Sequence, residues 1–274
     1  MKKLASFAGL IAVAGSVLAA SASANHSWGG YHWARTANPF TIKLGDNVSG
    51  AWQSMLQKAS SDWSQSTVLD TQVVSGGARP KSCRPTSGRV EVCSANYGNT
   101  GWLGLAQIWV TGGTHITQGI VKNNDYYFGS STYQYNNTAE MQHVICQEIG
   151  HTFGLDHQST SGASLNTCMD YYHNTSSSDT KSTSPNAGDY DELLCIYDPA
   201  SAGKTLSHGG HTCTGTGHLD SSSTVGASAG RAPDAVPSFA PGSEAAPSVY
   251  VDDLPNGGKL VTWITWADQA RHGR

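Results

Sequence analysis

The chain has 274 residues, of which 13% are charged, with a formal net charge of −4 and a pI of about 6.2. Its lysines and arginines do not cluster, which excludes a nucleic-acid partner held by a basic face. Gly, Ser, Thr and Asn are abundant, as suits an exported, loop-rich protein.

The first predicted element is an export signal. Met1-Lys2-Lys3 leads into an apolar run, and Ala22-Ser23-Ala24 forms an Ala-x-Ala cleavage pattern. Cleavage is expected between Ala24 and Asn25; losing Lys2 and Lys3 takes the net charge from −4 to −6. The alternative, a retained anchor, fits less well, because the run is short for a bilayer span. No later stretch is long and apolar enough to cross, so no stable membrane insertion is expected after signal removal. Residues 31–35 and 41–44 read as short strands. Trp52, Met55, Leu56, Ala59 and Trp63 recur near helical spacing and predict a helix over 51–64. Strands are predicted at 68–74, 89–93, 105–110 and 115–121, separated by Gly-rich turns. Asn123-Asn124-Asp125 follows; such a cluster is usually a turn, with a Ca2+ site as the alternative. A second helix opens with Thr138 as its N-cap, runs to about Phe153 and is stopped by Gly154. Residues 189–194 read as a shorter third helix. Residues 214–247 are Gly, Ser, Ala and Pro with few large apolar side chains, the composition of a flexible linker. Residues 249–251 and 260–266 flank Pro255-Asn256-Gly257-Gly258, a hairpin signal. A lone hairpin is marginal in water, so it is expected to dock on the main domain or on a partner.

This order predicts an α+β fold with one twisted mixed sheet and two main helices. The expected division is a signal at 1–24, a main domain at 25–213, a linker at 214–247 and a hairpin segment at 248–274. None of these features sets an oligomeric state. All six cysteines (83, 93, 146, 168, 195 and 213) lie beyond the signal, and export with an even count favours disulfides. Pairing of neighbours is expected: Cys83 with Cys93, Cys146 with Cys168, Cys195 with Cys213. A cysteine metal site is the rival reading, but the spacings do not make Cys-x-x-Cys pairs.

The segment Gln147-Glu148-Ile149-Gly150-His151-Thr152-Phe153-Gly154-Leu155-Asp156-His157 carries the chemistry. Residues four apart on a helix share a face, so positions 147 and 151 can aim at one ion. Glu148 is adjacent and can act as general base toward a metal-activated water without being a ligand. Gly154 permits a sharp reversal that returns His157 from another direction. His143 lies two turns before His151, about 12 Å of rise away, too far to share its ion on a regular helix. It is expected to be structural or to support the ligands.

The pattern is His-Glu-x-x-His-x-x-Gly-x-x-His with Gln147 in the first His position. It resembles the metzincin clan of zinc metallopeptidases, which includes astacins, serralysins and matrixins. The resemblance covers residues 143–171. It includes Thr167-Cys168-Met169-Asp170-Tyr171, where Met169 suits the clan's Met-containing turn and Tyr171 matches the tyrosine that some members bring toward the metal. The resemblance implies a metzincin-like catalytic domain with a small irregular C-terminal subdomain. It also implies Zn2+ held by Gln147, His151 and His157, with Glu148 and Tyr171 catalytic. The expected activity is that of a secreted endopeptidase on protein or peptide substrates. Gln147 departs from the clan's pattern, and three arrangements stay open: its amide oxygen ligates, a water takes its place, or the metal is lost and the chain is an inactive binding protein. In this clan, substrates lie along a sheet edge, and strand 105–110 is the expected edge. The first strand follows the cleavage site closely, so neither a propeptide nor a cysteine switch is expected.

Overall fold

A computed structural model describes residues 26–111, 113–208, 212–213, 219–222, 248–255 and 257–267. The expected signal at 1–24 and the expected linker, apart from 219–222, lie outside the described residues, as does Asn256 of the hairpin turn. In chain order the elements are strands β1 (His32–Trp33) and β2 (Phe40–Asn47), helix α1 (Trp52–Trp63), and strands β3 (Leu69–Ser75), β4 (Val90–Ala95), β5 (Trp102–Val110) and β6 (His115–Asn124). Helices α2 (Asp125–Phe128), α3 (Thr138–His151) and α4 (Ala187–Tyr197) follow, then strands β7 (Val249–Asp253) and β8 (Lys259–Trp266).

The strands form one mixed sheet in the order β3-β2-β4-β6-β5-β8-β7, with β1 pairing β6 off that path. β2, β3, β4 and β6 run parallel, whereas β5 is antiparallel to both its neighbours, β6 and β8. This is an α+β arrangement with few helices. Strands buried on both faces read as near-continuous apolar runs, and β5 is buried along its whole length. The main core lies between the sheet and the helices. α1 contributes a stripe of Trp52, Leu56, Ala59 and Trp63 at helical spacing, and α3 contributes Val144, Ile145 and Ile149. The opposite face carries two smaller clusters, one around Trp109 and Leu260 and one around Trp102, Leu105, Ile264 and Trp266.

All three neighbour disulfides are present: Cys83–Cys93, Cys146–Cys168 and Cys195–Cys213. They fit an oxidising compartment. No helix among the described residues is long and apolar enough to cross a membrane.

Several details differ from the sequence expectations. Strand β1 has two residues rather than five. The N-cap of α3 is Asn137 rather than Thr138: Asn137 is in extended backbone, and its side chain accepts the Glu140 N–H. The short helix α2 begins inside the polar cluster. There Asn124 caps it, Asn123 donates to the Cys93 carbonyl, and Asp125 accepts from Trp52 Nε1 at 2.7 Å. The main correction concerns strand 105–110. It is not an edge, because the C-terminal hairpin pairs with it from Trp102↔Trp266 to Val110↔Lys259. The hairpin docks on the sheet, and β7, with Asp252 and Asp253 exposed, becomes the edge.

Candidate metal centre

α3 delivers Gln147, Glu148 and His151 to one end of the core. Its last turn closes with the Gly154 N–H donating to the His151 carbonyl. Gly154 then sits at φ +95°, and a Cβ there would lie 2.1 Å from the Tyr31 carbonyl oxygen. Only glycine suits that left-handed, crowded position. The chain reverses, and Gln158 N donates to Met169 O while Tyr171 N donates to Ser159 O. These bonds lay His157 beside Tyr171, whose ring meets the imidazole edge-on at 4.3 Å between centroids.

Nε2 of His151 and Nε2 of His157 lie 3.2 Å apart. Nδ1 of His151 is 2.9 Å from the Leu155 carbonyl oxygen, so it carries the hydrogen and donates. Nδ1 of His157 faces Asp156 Oδ1 at 3.3 Å. With the hydrogens on both Nδ1 atoms, which face acceptors, both Nε2 lone pairs turn to one point; with a hydrogen on one Nε2, the same contact is an N–H···N hydrogen bond between the rings. Two lone pairs at that distance repel unless a proton or a cation lies between them. Zinc–nitrogen bonds of about 2.0–2.1 Å in a tetrahedron put ligand atoms about 3.3 Å apart, so the pair suits zinc. Burial, then the neighbouring His157, holds His151 well below the usual imidazole range, which keeps it in the neutral, ligating form.

Glu148 lies one residue before Ile149 on the same helix and is fully buried. Burial pushes its carboxyl up to about 8, against the opposing hydrogen bonds from Thr265. Its Oε2 is buried without a hydrogen-bond partner. Its Oε1 is 2.6 Å from the Thr265 hydroxyl. It can pack against β5 only because Gly104 lies there: a Cβ on Gly104 would be 2.7 Å from Glu148 Oε1. Tyr171 is also pushed up, to about 12, first by burial.

Gln147 is held at both ends. Its Nε2 donates to the carbonyls of Cys168 (2.9 Å) and Asp170 (2.7 Å), and its Oε1 accepts from Thr265 Oγ1 at 2.5 Å. The amide is thus oriented by the backbone around Met169, with its oxygen turned to the hairpin. One hydroxyl hydrogen cannot serve both Gln147 and Glu148; both contacts are met when Glu148 carries its own proton and donates it to Thr265. Met169 is buried, and a Cβ on Gly150 would meet its sulfur at 2.6 Å, so Gly150 lets the methionine press against α3. His143 serves elsewhere, between Glu140 Oε2 at 3.4 Å and the Asp170 carbonyl at 3.2 Å.

The structure therefore brings His151, His157, Glu148 and Tyr171 together, with Gln147 beside them. Sequence reasoning missed Trp263 and Thr265. The Trp263 ring stacks on His151 at 5.1 Å and 8°. The only sequence signal for them was the apolar hairpin strand, which points to no particular site. Comparison with protein-family models and with curated proteins gives no match.

Proposed function

We propose that this chain is an exported zinc-dependent endopeptidase of metzincin type. The observation that carries the reading is the convergence of the His151 and His157 Nε2 atoms at 3.2 Å, on the helix and turn that also bring a buried carboxyl, Glu148, with an orphaned oxygen. His151 and His157 would hold the zinc, with the Gln147 amide oxygen as third ligand once Thr265 releases it. Zinc, when bound, supplies Lewis acidity that activates a water and polarises a peptide carbonyl. Once Thr265 has left and Glu148 has given up its proton to solvent, its carboxylate accepts the proton of the attacking water and passes it to the leaving amine. The Tyr171 hydroxyl, held protonated, donates to the oxygen that gains charge. The substrates are extended protein or peptide chains.

The test purifies the chain from Asn25 onward and measures zinc content and casein hydrolysis together. We expect one zinc per chain, lost in His151→Ala and in His157→Ala. In Glu148→Ala we expect zinc to be retained and hydrolysis to fall by about 10²–10⁴-fold. No zinc retained at micromolar supply overturns the reading. The covering of the site by β8 favours a second reading, a binding protein that keeps the cleft and not the reaction. Zinc-loaded chain that cleaves no peptide, even with its C-terminal hairpin released, supports that alternative.

A further inference from the structure

The five site residues are closed off by the far end of the chain. Gln147, Glu148 and His151 are 0% exposed, and His157 and Tyr171 only 8%. β8 runs antiparallel along β5 and turns Val261, Trp263 and Thr265 toward the helices. Trp263 lies flat on His151, and Thr265 occupies the free oxygen of Gln147 and one oxygen of Glu148. Ser248, next to β7, lies beside the Tyr171 side chain. No peptide bond can reach Glu148 while these contacts stand.

The same strand sits as an added peptide would. Strand addition uses main-chain hydrogen bonds for affinity and alternate side-chain pockets for selectivity. β8 meets both conditions. It is in ladder register with β5, and its large helix-facing side chain, Trp263, stands opposite the small Ala106. Gly104 stands opposite Thr265. Small residues on β5 thus leave the room that an aromatic side chain fills. The tether is long enough for exchange: residues 223–247 alone can span about 80 Å fully extended.

We propose that the C-terminal hairpin, residues 248–267, is a self-inhibitor that stands in the substrate's place. The substrates that displace it are extended peptides with an aromatic side chain at the Trp263 position. This rests on the peptidase reading above. Displacement uncovers Trp102, Leu105 and Trp109, which Leu260, Ile264 and Trp266 cover in the closed form. The closed form is therefore the resting one, and a competing strand must supply apolar residues on that face as well.

The test uses the full chain with the recognition sequence of a site-specific protease placed within residues 236–245. A second full-length variant, Trp263→Gly with Thr265→Gly, weakens the contacts without cutting. Hydrolysis of a fluorogenic tryptophan-containing peptide is measured before and after the cut. Binding of a labelled peptide of sequence 248–267 is followed by anisotropy on metal-free protein. We expect at least a tenfold rise in hydrolysis on cutting and in the double variant, reversed competitively by the unlabelled 248–267 peptide. The labelled peptide should bind the cut chain after hairpin removal and the double variant, and not the intact chain. Replacing its tryptophan equivalent to Trp263 by alanine should weaken binding at least tenfold. Equal hydrolysis in intact and opened chains, or a labelled peptide that binds all forms alike or none, overturns the self-inhibitor and leaves the peptidase reading standing. Selective peptide binding with no hydrolysis in any zinc-loaded form keeps the inhibitor geometry and overturns the peptidase reading. Equal affinity for the alanine peptide overturns the aromatic preference.

Discussion

At Gly104 a strand backbone meets the side chains of α3 directly. A single added methyl would lie 2.4 Å from Val144 Cγ1 and 2.7 Å from Glu148 Oε1. Gly104→Ala should therefore displace Glu148 while leaving the two imidazoles in place. In the cut chain, hydrolysis should fall at least tenfold, with zinc content unchanged. Overpacking should cost about 1–3 kcal/mol of stability by urea denaturation. Retained hydrolysis would mean that Glu148 is not the base. The sequence marked Glu148, His151, Gly154 and His157 because local spacing alone brings them together. It could not mark Gly104, because what makes that glycine necessary is a helix arriving from residues 144 and 148. Nor could it orient Gln147, whose amide is turned by carbonyls from residues 168 and 170.

Helix α3 is anchored at its start by a buried charge cluster. Glu140 accepts from the Asn174 N–H and lies between His143 and His173. Burial alone would raise the Glu140 carboxyl, but the two imidazoles overrule it and hold it at about 2. Burial likewise opposes charging of His143, yet Glu140 and Asp170 raise it above its ordinary 6.5. A depressed carboxyl contributes stability above its ordinary 4.5 and loses it as pH falls toward 2. A raised imidazole contributes fully below 6.5 and loses it as pH rises through its folded value. The anchor should thus be strongest between about 4.5 and 6.5. Glu140→Gln should be destabilised by about 3 kcal/mol near pH 5.5, and by less at pH 2 and pH 9. Urea midpoints at the three values check this, and a pH-independent loss would contradict it. At this scale the two main helices were readable from period and glycine punctuation. The pairing of β5 was not, since its second neighbour lies some 150 residues away at Leu260–Trp266 and no local pattern encodes which strand joins which.

For the whole molecule, an ion that binds only the folded chain should raise its stability. Zinc at a hundred times its dissociation constant should add about 2.7 kcal/mol, a Tm rise of about 5–10 °C. A chelator should reverse the rise, and His157→Ala should abolish it; scanning calorimetry gives the measurement. No rise in the parent chain would count against the metal centre. The α+β class was legible from the order of periodic segments, and all three cysteine pairs from an even count, proximity along the chain and an expected export signal. The burial of these residues under β8 was not legible, because it depends on where a distant tail returns.

The bond between Cys146 and Cys168 has a temporal side. Cys146 precedes Gln147, and Cys168 precedes Met169, so one covalent link clamps the helix that carries two of the proposed ligands to the turn beneath them. While the thiols are reduced, these two pieces of chain are joined only by weak contacts. Readiness to grip an ion would then arrive with oxidation rather than with synthesis, and the chain would stay chemically mute until it met an oxidising milieu.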